Sequence, residues 1–231
     1  MKDTEKLLVS TVIPVYNGAA YLGEAIESVL NQQVVSTELI VVDDGSTDNT
    51  PEIARKYADR LRYIRKEHSG ISQTMNQGVM AAGGDFLAFL DADDYWLPGK
   101  LENQLQVLRE EPSLDMAFTF LQQFFSPEKA GDLKMKYKIP GVPEQGMSAG
   151  TMLVRRSSFM QVGLFNESLK TGQFNDWFMR ARDMGLRHRV LPDLFHMRRV
   201  HGANHGIVYK QDAVDYLRGL RAHLKRSRES Q

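Results

Sequence analysis

The sequence predicts an α/β fold: a mostly parallel central sheet flanked by helices, Rossmann-like in layout. Three observations carry this. Short apolar runs alternate with amphipathic stretches through the first half of the chain. Turn-rich segments such as Asp43-Asp44-Gly45-Ser46-Thr47-Asp48-Asn49 and Gly83-Gly84 separate them. At 231 residues, 42% hydrophobic and 25% charged, the chain is long enough to bury a genuine core without staples or a partner.

The elements follow in order. Leu8 to Val15 reads as a buried strand, after which Asn17 is placed to cap a helix whose Tyr21, Leu22, Ala25, Ile26, Val29 and Leu30 share one face. Leu39 to Val42 is the second strand. Thr50-Pro51-Glu52 opens the next helix, with Thr as cap and Pro at the first helical position, and it runs to about Asp59. Leu61 to Ile64 is a third strand. Ser69 or Ser72 caps a helix that continues through Met80 and stops at Gly83-Gly84. Phe86 to Leu90 is the fourth strand, ending at Asp91. Beyond Trp96, Leu101, Leu105 and Leu108 mark an amphipathic helix, and an apolar run spans Met116 to Phe125. Residues 126–145 read as a long loop, of the kind that serves as a lid or binding loop. After Lys210 an amphipathic helix is expected, with Val214, Leu217, Leu220 and Leu224 on one side and a basic surplus elsewhere. The expected organisation is one domain over 1–210, with halves at about 1–95 and 96–210, followed by the basic helix 211–231.

Composition narrows the chemistry. The 29 basic and 29 acidic residues balance, so there is no global footprint of a nucleic-acid binder. With no cysteine, disulfides, a thiol nucleophile and thiolate metal ligands are excluded, and any metal must be held by oxygen or imidazole. Leu7 to Val15 is broken by Ser10, Thr11 and Pro14 and makes a poor signal-peptide core, and no stretch approaches the ~20 apolar residues of a membrane span. A soluble, cytoplasmic protein is expected.

Asp91-Ala92-Asp93-Asp94 directly follows the fourth strand. In an open parallel sheet, ligands gather at the carboxyl ends of strands. If extended geometry persists, Asp91 and Asp93 point to the same side, where two carboxylates suit Mg²⁺ or Mn²⁺. The alternative is a turn with capping aspartates before Leu97-Pro98. The chain has neither a G-x-x-x-x-G-K-[ST] loop nor a G-x-G-x-x-G turn after its first strand. A nucleotide diphosphate bound here would need another positive charge, which a cation on Asp91 and Asp93 would supply.

Four segments together resemble the family 2 glycosyltransferases of GT-A fold. They are Val12-Ile13-Pro14-Val15-Tyr16-Asn17, Glu38 to Asp48, Phe89-Leu90-Asp91-Ala92-Asp93-Asp94, and Asn175-Asp176-Trp177 with Arg180, in order and in register from about residue 8 to 205. The resemblance implies an inverting, metal-dependent enzyme that moves a sugar from a nucleotide-sugar donor, typically a UDP-sugar, to an acceptor hydroxyl in polysaccharide or glycolipid synthesis. The first half would bind the donor and the second the acceptor. Pro14, Tyr16 and Asp44 would line the nucleotide pocket beside Asp91, Ala92 and Asp93. Asp93, supported by Asp91, would bind the metal, with His201 completing its shell or touching phosphate. Asp176 would be the catalytic base, with Trp177 and Asn175 near the acceptor. Two positions depart from the family: Asn175 stands where Glu is usual, and Met75 precedes Asn76 where an Arg-Asn pair is common.

The residues alone leave other readings open. Asp176 read by itself is a cap or an i,i+4 partner of Arg180, and Asp43 suits an Asx-type turn. A nucleotidyltransferase would share the α/β architecture and acidic ligands, but normally shows a basic Gly-rich loop where this chain has Pro14-Val15-Tyr16-Asn17-Gly18. A glycoside hydrolase could use two carboxylates, and a non-catalytic nucleotide-sugar-binding protein is the third rival. No nucleic-acid partner is expected. The C-terminal helix reads either as a solvated or packed face, or as a peripheral contact with an anionic membrane where lipid-linked acceptors reside.

Overall fold

A computed structural model describes residues 8–32, 36–202 and 204. The elements are β1 (Leu8–Val15), α1 (Leu22–Leu30), β2 (Ser36–Asp43), α2 (Thr50–Arg55), β3 (Arg62–Arg65), α3 (Ile71–Ala81) and β4 (Phe86–Phe89), then β5 (Tyr95–Trp96), α4 (Lys100–Glu110) and β6 (Met116–Phe125). They continue through α5 (Ala130–Lys136), β7 (Glu144–Gln145), β8 (Leu153–Arg155), α6 (Arg156–Val162), α7 (Gln173–Asp183) and β9 (His188–Val200). The helix expected over 211–231 lies outside the described residues.

One continuous sheet runs β3-β2-β1-β4-β8-β6-β9-β5, with β7 paired to β6. The first four strands are parallel: β1, β4 and the second half of β2 are buried on both faces and so give apolar runs, whereas edge strand β3, Arg62-Tyr63-Ile64-Arg65, is only half-buried to exposed. β8 then joins β4 antiparallel and β6 joins β8 antiparallel, so that β6 again runs with β1, and β9 lies parallel to β6. Alternate side chains feed two cores. Val9, Ile13 and Val41 pack on one face with Leu22, Ile26, Leu101 and Leu105, while Val12, Ile40, Leu87 and Phe89 pack on the other with Met75, Val79, Phe159 and Trp177. Each such side chain, fully buried, contributes roughly 1.5–3 kcal/mol. Helix α3 lies so close to β1 that a Cβ on Gly78 would fall 2.3 Å from Val12 Cγ1.

Local differences from the sequence reading have tertiary causes. Asn17 is not a helix cap: it sits at φ 52° and its Oδ1 accepts from Thr47 N at 2.8 Å, tying the β1 loop to the β2 loop. Thr50 is the first residue of α2 and its hydroxyl accepts from Gly18 N at 2.9 Å. α2 ends at Arg55, short of Asp59. The residue before α3 is Gly70 at φ 95°, and Ser72, inside the helix, donates to Leu169 O at 3.1 Å. The stretch 126–145 is not all loop: a 3₁₀ turn at Pro127–Lys129, α5 and β7 lie within it. Asp43 does make the expected turn, accepting from Ser46 N at 2.8 Å. No helix among the described residues is long and apolar enough to cross a membrane.

Candidate active site

β4 ends at Phe89, and the chain turns at once: Asp94 N donates to Asp91 O at 3.0 Å. The turn, rather than an extended alternation, brings the carboxylates together, with ligand oxygens of Asp91, Asp93 and Asp94 within 4.8 Å of one another. Their surroundings differ. Asp94 is 3% exposed and fully engaged, its Oδ2 against His196 Nε2 and its Oδ1 accepting from Arg199 N, both at 2.8 Å. Asp93 Oδ2 meets His201 Nε2 and the Asn204 amide, both at 2.9 Å. Asp91, the most open of the three, is exposed to solvent.

Arg199 fastens the end of β9 to this turn. Its buried guanidinium donates to Asp93 O at 2.9 Å, pairs with Glu24 on α1, and lies 4.5 Å from the Tyr21 ring centre and 4.7 Å from that of Phe124. His196 has room in the core because residue 150 is glycine, since a Cβ there would fall 2.1 Å from His196 Cε1. His196 Nδ1 is buried with no hydrogen-bond partner among the described residues. A bare acceptor is less costly there than a bare donor, so we assign the proton to Nε2, donated to Asp94.

The electrostatics fit a cation. The Asp91 carboxyl is pushed up to about 7, first by desolvation and then by the charges of Asp94 and Asp93. Burial also raises Asp94, against the downward pull of the His196 hydrogen bond. A divalent ion would remove this repulsion, and carboxylates with one imidazole suit Mg²⁺ or Mn²⁺. The converging ligand oxygens are those of Asp91, Asp93 and Asp94; both oxygens of Asp94 also carry protein hydrogen bonds, and His201 reaches the group through its Nε2 contact with Asp93. Half-buried Ala92 lies between the two acids.

A second group gathers beyond β1, β2 and β3. Pro14 is buried near the end of β1, and the next strand-end side chain, Tyr16, is 49% exposed with its ring centre 4.3 Å from that of His68. Asp44, 3% exposed, accepts from Ser69 N and Gly70 N at 2.9 Å, pairs with Lys66, and lies 2.9 Å from His68 Nδ1. Burial by itself would raise this carboxyl, but the Lys66, Ser69 and Gly70 hydrogen bonds outweigh it and hold the group below its ordinary value. Asp44 therefore organises the loop before α3, and any base it contacts shares its oxygens. An open hollow of about 680 Å³ lies here, lined by Gly45, Arg65, Lys66, Glu67 and His68. Lys66 and His68 were not singled out from sequence, although they follow a predicted parallel strand, where the strand-end rule points.

The third group is on α7. Asp176, 7% exposed in the first turn, accepts from Arg180 Nε at 3.0 Å, the i,i+4 pair its spacing allows. Arg180 is itself fixed by Val162 O at 2.7 Å and Leu164 O at 2.8 Å. The Gln173 amide lies 3.8 Å from Met75 Sδ, which sets the start of α7 beside α3. Asn175 is half-buried next to Asp176. Trp177 corrects the sequence reading. It is 0% exposed, stacked on Phe159 at 4.6 Å with its indole N–H donated to Gly163 O, so it is a core residue with no surface to offer an acceptor. Asn76 is also structural, exchanging two 2.9 Å hydrogen bonds with the Phe165 backbone.

The glycosyl transferase family 2 model matches residues 10–163. The chain is 35% identical over 205 residues to an uncharacterised glycosyltransferase of Rickettsia typhi, covering 82% of this chain and 64% of that protein. It is 31% identical over 210 residues to chondroitin synthase of Pasteurella multocida, covering 87% of this chain and 21% of that one. Among solved structures, TarS of S. aureus in complex with UDP-GlcNAc superimposes with a TM-score of 0.71 at 23% identity, over 86% of this chain and 60% of that chain. A mannosyltransferase of Pyrobaculum calidifontis in complex with GDP-Man and Mn²⁺ gives 0.71 at 19%, over 96% and 65%. These two show the fold, GT-A. With its matched segment spanning the strand-end acids and the sheet that presents them, the chain belongs to glycosyl transferase family 2.

Proposed function

We propose that the protein transfers a sugar from a nucleotide-sugar donor, a UDP-sugar by preference, to an acceptor hydroxyl with inversion, in polysaccharide or glycolipid synthesis. The observation that carries this is the 91–94 turn, where the ligand oxygens of three carboxylates converge within 4.8 Å of one another although desolvation, and then the neighbouring charges of Asp94 and Asp93, push Asp91 up to about 7. Asp91, Asp93 and His201 would hold Mg²⁺ or Mn²⁺, and the chemistry supplied by that ion is charge neutralisation on the departing diphosphate. Tyr16 and His68 offer aromatic faces to the base, with Pro14 and Asp44 behind them. The complexes of UDP-GlcNAc with TarS and of GDP-Man and Mn²⁺ with the Pyrobaculum enzyme support this class of donor.

Asp176 serves as the base. It accepts the acceptor hydroxyl's proton as the oxygen attacks the anomeric carbon from the side opposite the leaving group. Arg180 holds the carboxylate in one orientation, and the start of α7 favours its negative charge. A single displacement requires no covalent enzyme intermediate.

The test is calorimetric titration of UDP and UDP-sugars with and without Mn²⁺, alongside turnover. Asp93→Ala abolishes metal-dependent donor binding. Asp176→Asn keeps donor binding and loses transfer. Failure of the purified protein to bind any nucleotide sugar with either metal, or loss of donor binding in Asp176→Asn, would overturn the assignment.

A further inference from the structure

The segment between β6 and β7 is rooted beside the acid turn. Tyr21 donates to Glu128, and the Tyr21 ring centre is 5.0 Å from that of His201, itself hydrogen-bonded to Asp93. Leu133, 5% exposed, fills the space over Gly202.

Past this root the segment projects into solvent. Lys134, Lys136 and Lys138 are all exposed. Met135 at 81% and Val142 at 66% are the two most exposed large hydrophobic residues among those described, and the others, such as Tyr16 and Met80, lie elsewhere in the chain. Residues 133–143 contain three lysines and no acid, in a chain whose charges balance 29 to 29.

We propose that residues 134–143 form a docking surface for an anionic lipid membrane. Met135 and Val142 enter the boundary between headgroups and acyl chains, while Lys134, Lys136 and Lys138 pair with headgroup phosphates. The exposed apolar side chains decide the partner class, because a hydrated polysaccharide or a nucleic acid offers no apolar phase to receive them. The root contacts at Tyr21 and Gly202 tie this surface to the end of β9 and, through His201, to the acid turn, so that docking would hold that turn close to the lipid, where a lipid-borne acceptor hydroxyl would be presented. The docking claim is independent of the metal and donor assignments.

The test is co-sedimentation of the full chain with vesicles of phosphatidylcholine alone and of phosphatidylcholine with 30 mol% phosphatidylglycerol. The full chain should bind the anionic vesicles and not the neutral ones. The Lys134→Gln/Lys136→Gln/Lys138→Gln variant should partition about 100-fold more weakly, at roughly fivefold per lysine. Met135→Ser/Val142→Ser should lose about tenfold. Met135→Trp should show a blue-shifted emission quenched by brominated lipid, and circular dichroism checks that each variant is folded. The proposal fails if the full chain ignores anionic vesicles, or if the variants bind as the parent does, which would assign binding to another segment such as 211–231. It also fails if the full chain binds a soluble anionic polymer such as heparin but no vesicle.

Discussion

Asp94 carries two buried donors, so its removal has a cost that can be worked out. In Asp94→Ala the His196 Nε2–H and the Arg199 N–H lose their acceptor, and these residues are 2% and 5% exposed. A buried donor left unpaired costs about 1–3 kcal/mol. Two of them cost about 2–6 kcal/mol, and relief of the repulsion with Asp91 and Asp93 returns part of that, for a net loss of about 3 kcal/mol. At about 2–4 °C per kcal/mol in a chain of this size, the unfolding midpoint falls by about 6–12 °C. Asp94→Asn is milder. Its Oδ1 still accepts from Arg199 N, and its amide can donate to His196 only when the ring proton moves to the partnerless Nδ1, so one buried donor rather than two goes unpaired, at about 1–3 kcal/mol before the same relief of repulsion. The assay is thermal unfolding followed by circular dichroism in EDTA, which leaves the cation out of the comparison. If the Ala and Asn variants melt together, or if Ala melts with the parent, the strut between the acid turn and β9 does not have the role assigned to it.

Two further outcomes follow from buried groups. Lys100 is 0% exposed, its amine donates to Gln104 Oε1 at 2.9 Å and lies 4.0 Å from the Trp96 ring centre, and burial pushes its pKa well below the ordinary value. Between that depressed value and about 10.4 the unfolded chain binds one proton more than the folded one, so stability rises with pH by about 1.4 kcal/mol per unit. Lys100→Met lacks this contribution, and the parent therefore gains on it in urea unfolding as pH is raised from about 8 to 9.5; parallel curves would contradict the burial argument. Gly78→Ala drives a methyl to 2.3 Å from Val12 Cγ1 and forces α3 off β1, costing about 2–3 kcal/mol in the urea midpoint. Val12→Ala in the same chain returns part of that loss, and strict additivity of the two substitutions would refute the clash.

β1, β2, β4 and α1 are readable in the sequence because parallel strands buried on both faces give apolar runs, and a one-faced helix repeats at 3.6. What escapes reading depends on residues far apart in the chain. Asn17 carries a cap's chemistry, but its partner Thr47 lies 30 positions on. α5 has one buried residue, Leu133, and so offers no period to detect. The acid turn is visible as a cluster, yet nothing in the spacing separates Asp94, which His196 claims from 102 positions away, from Asp93, left facing His201. The sequence reading of Trp177 leans on its neighbour Asp176, whereas the rings around it are Phe159, on the short helix α6, and Phe165, in the loop that follows, neither of which the sequence pattern reveals.

β8 is three residues long, yet it is the shared seam of the sheet: Phe86, Leu87 and Ala88 zip to Arg155, Val154 and Leu153 on one flank while Met116 and Ala117 take the other. Grafting residues 96–202 from a relative onto residues 1–95 would transplant half a ladder. A working chimera must keep the incoming strand's alternation in step with β4, since a slip of one residue would turn Val154 from the α3 side of the sheet to the α4 side.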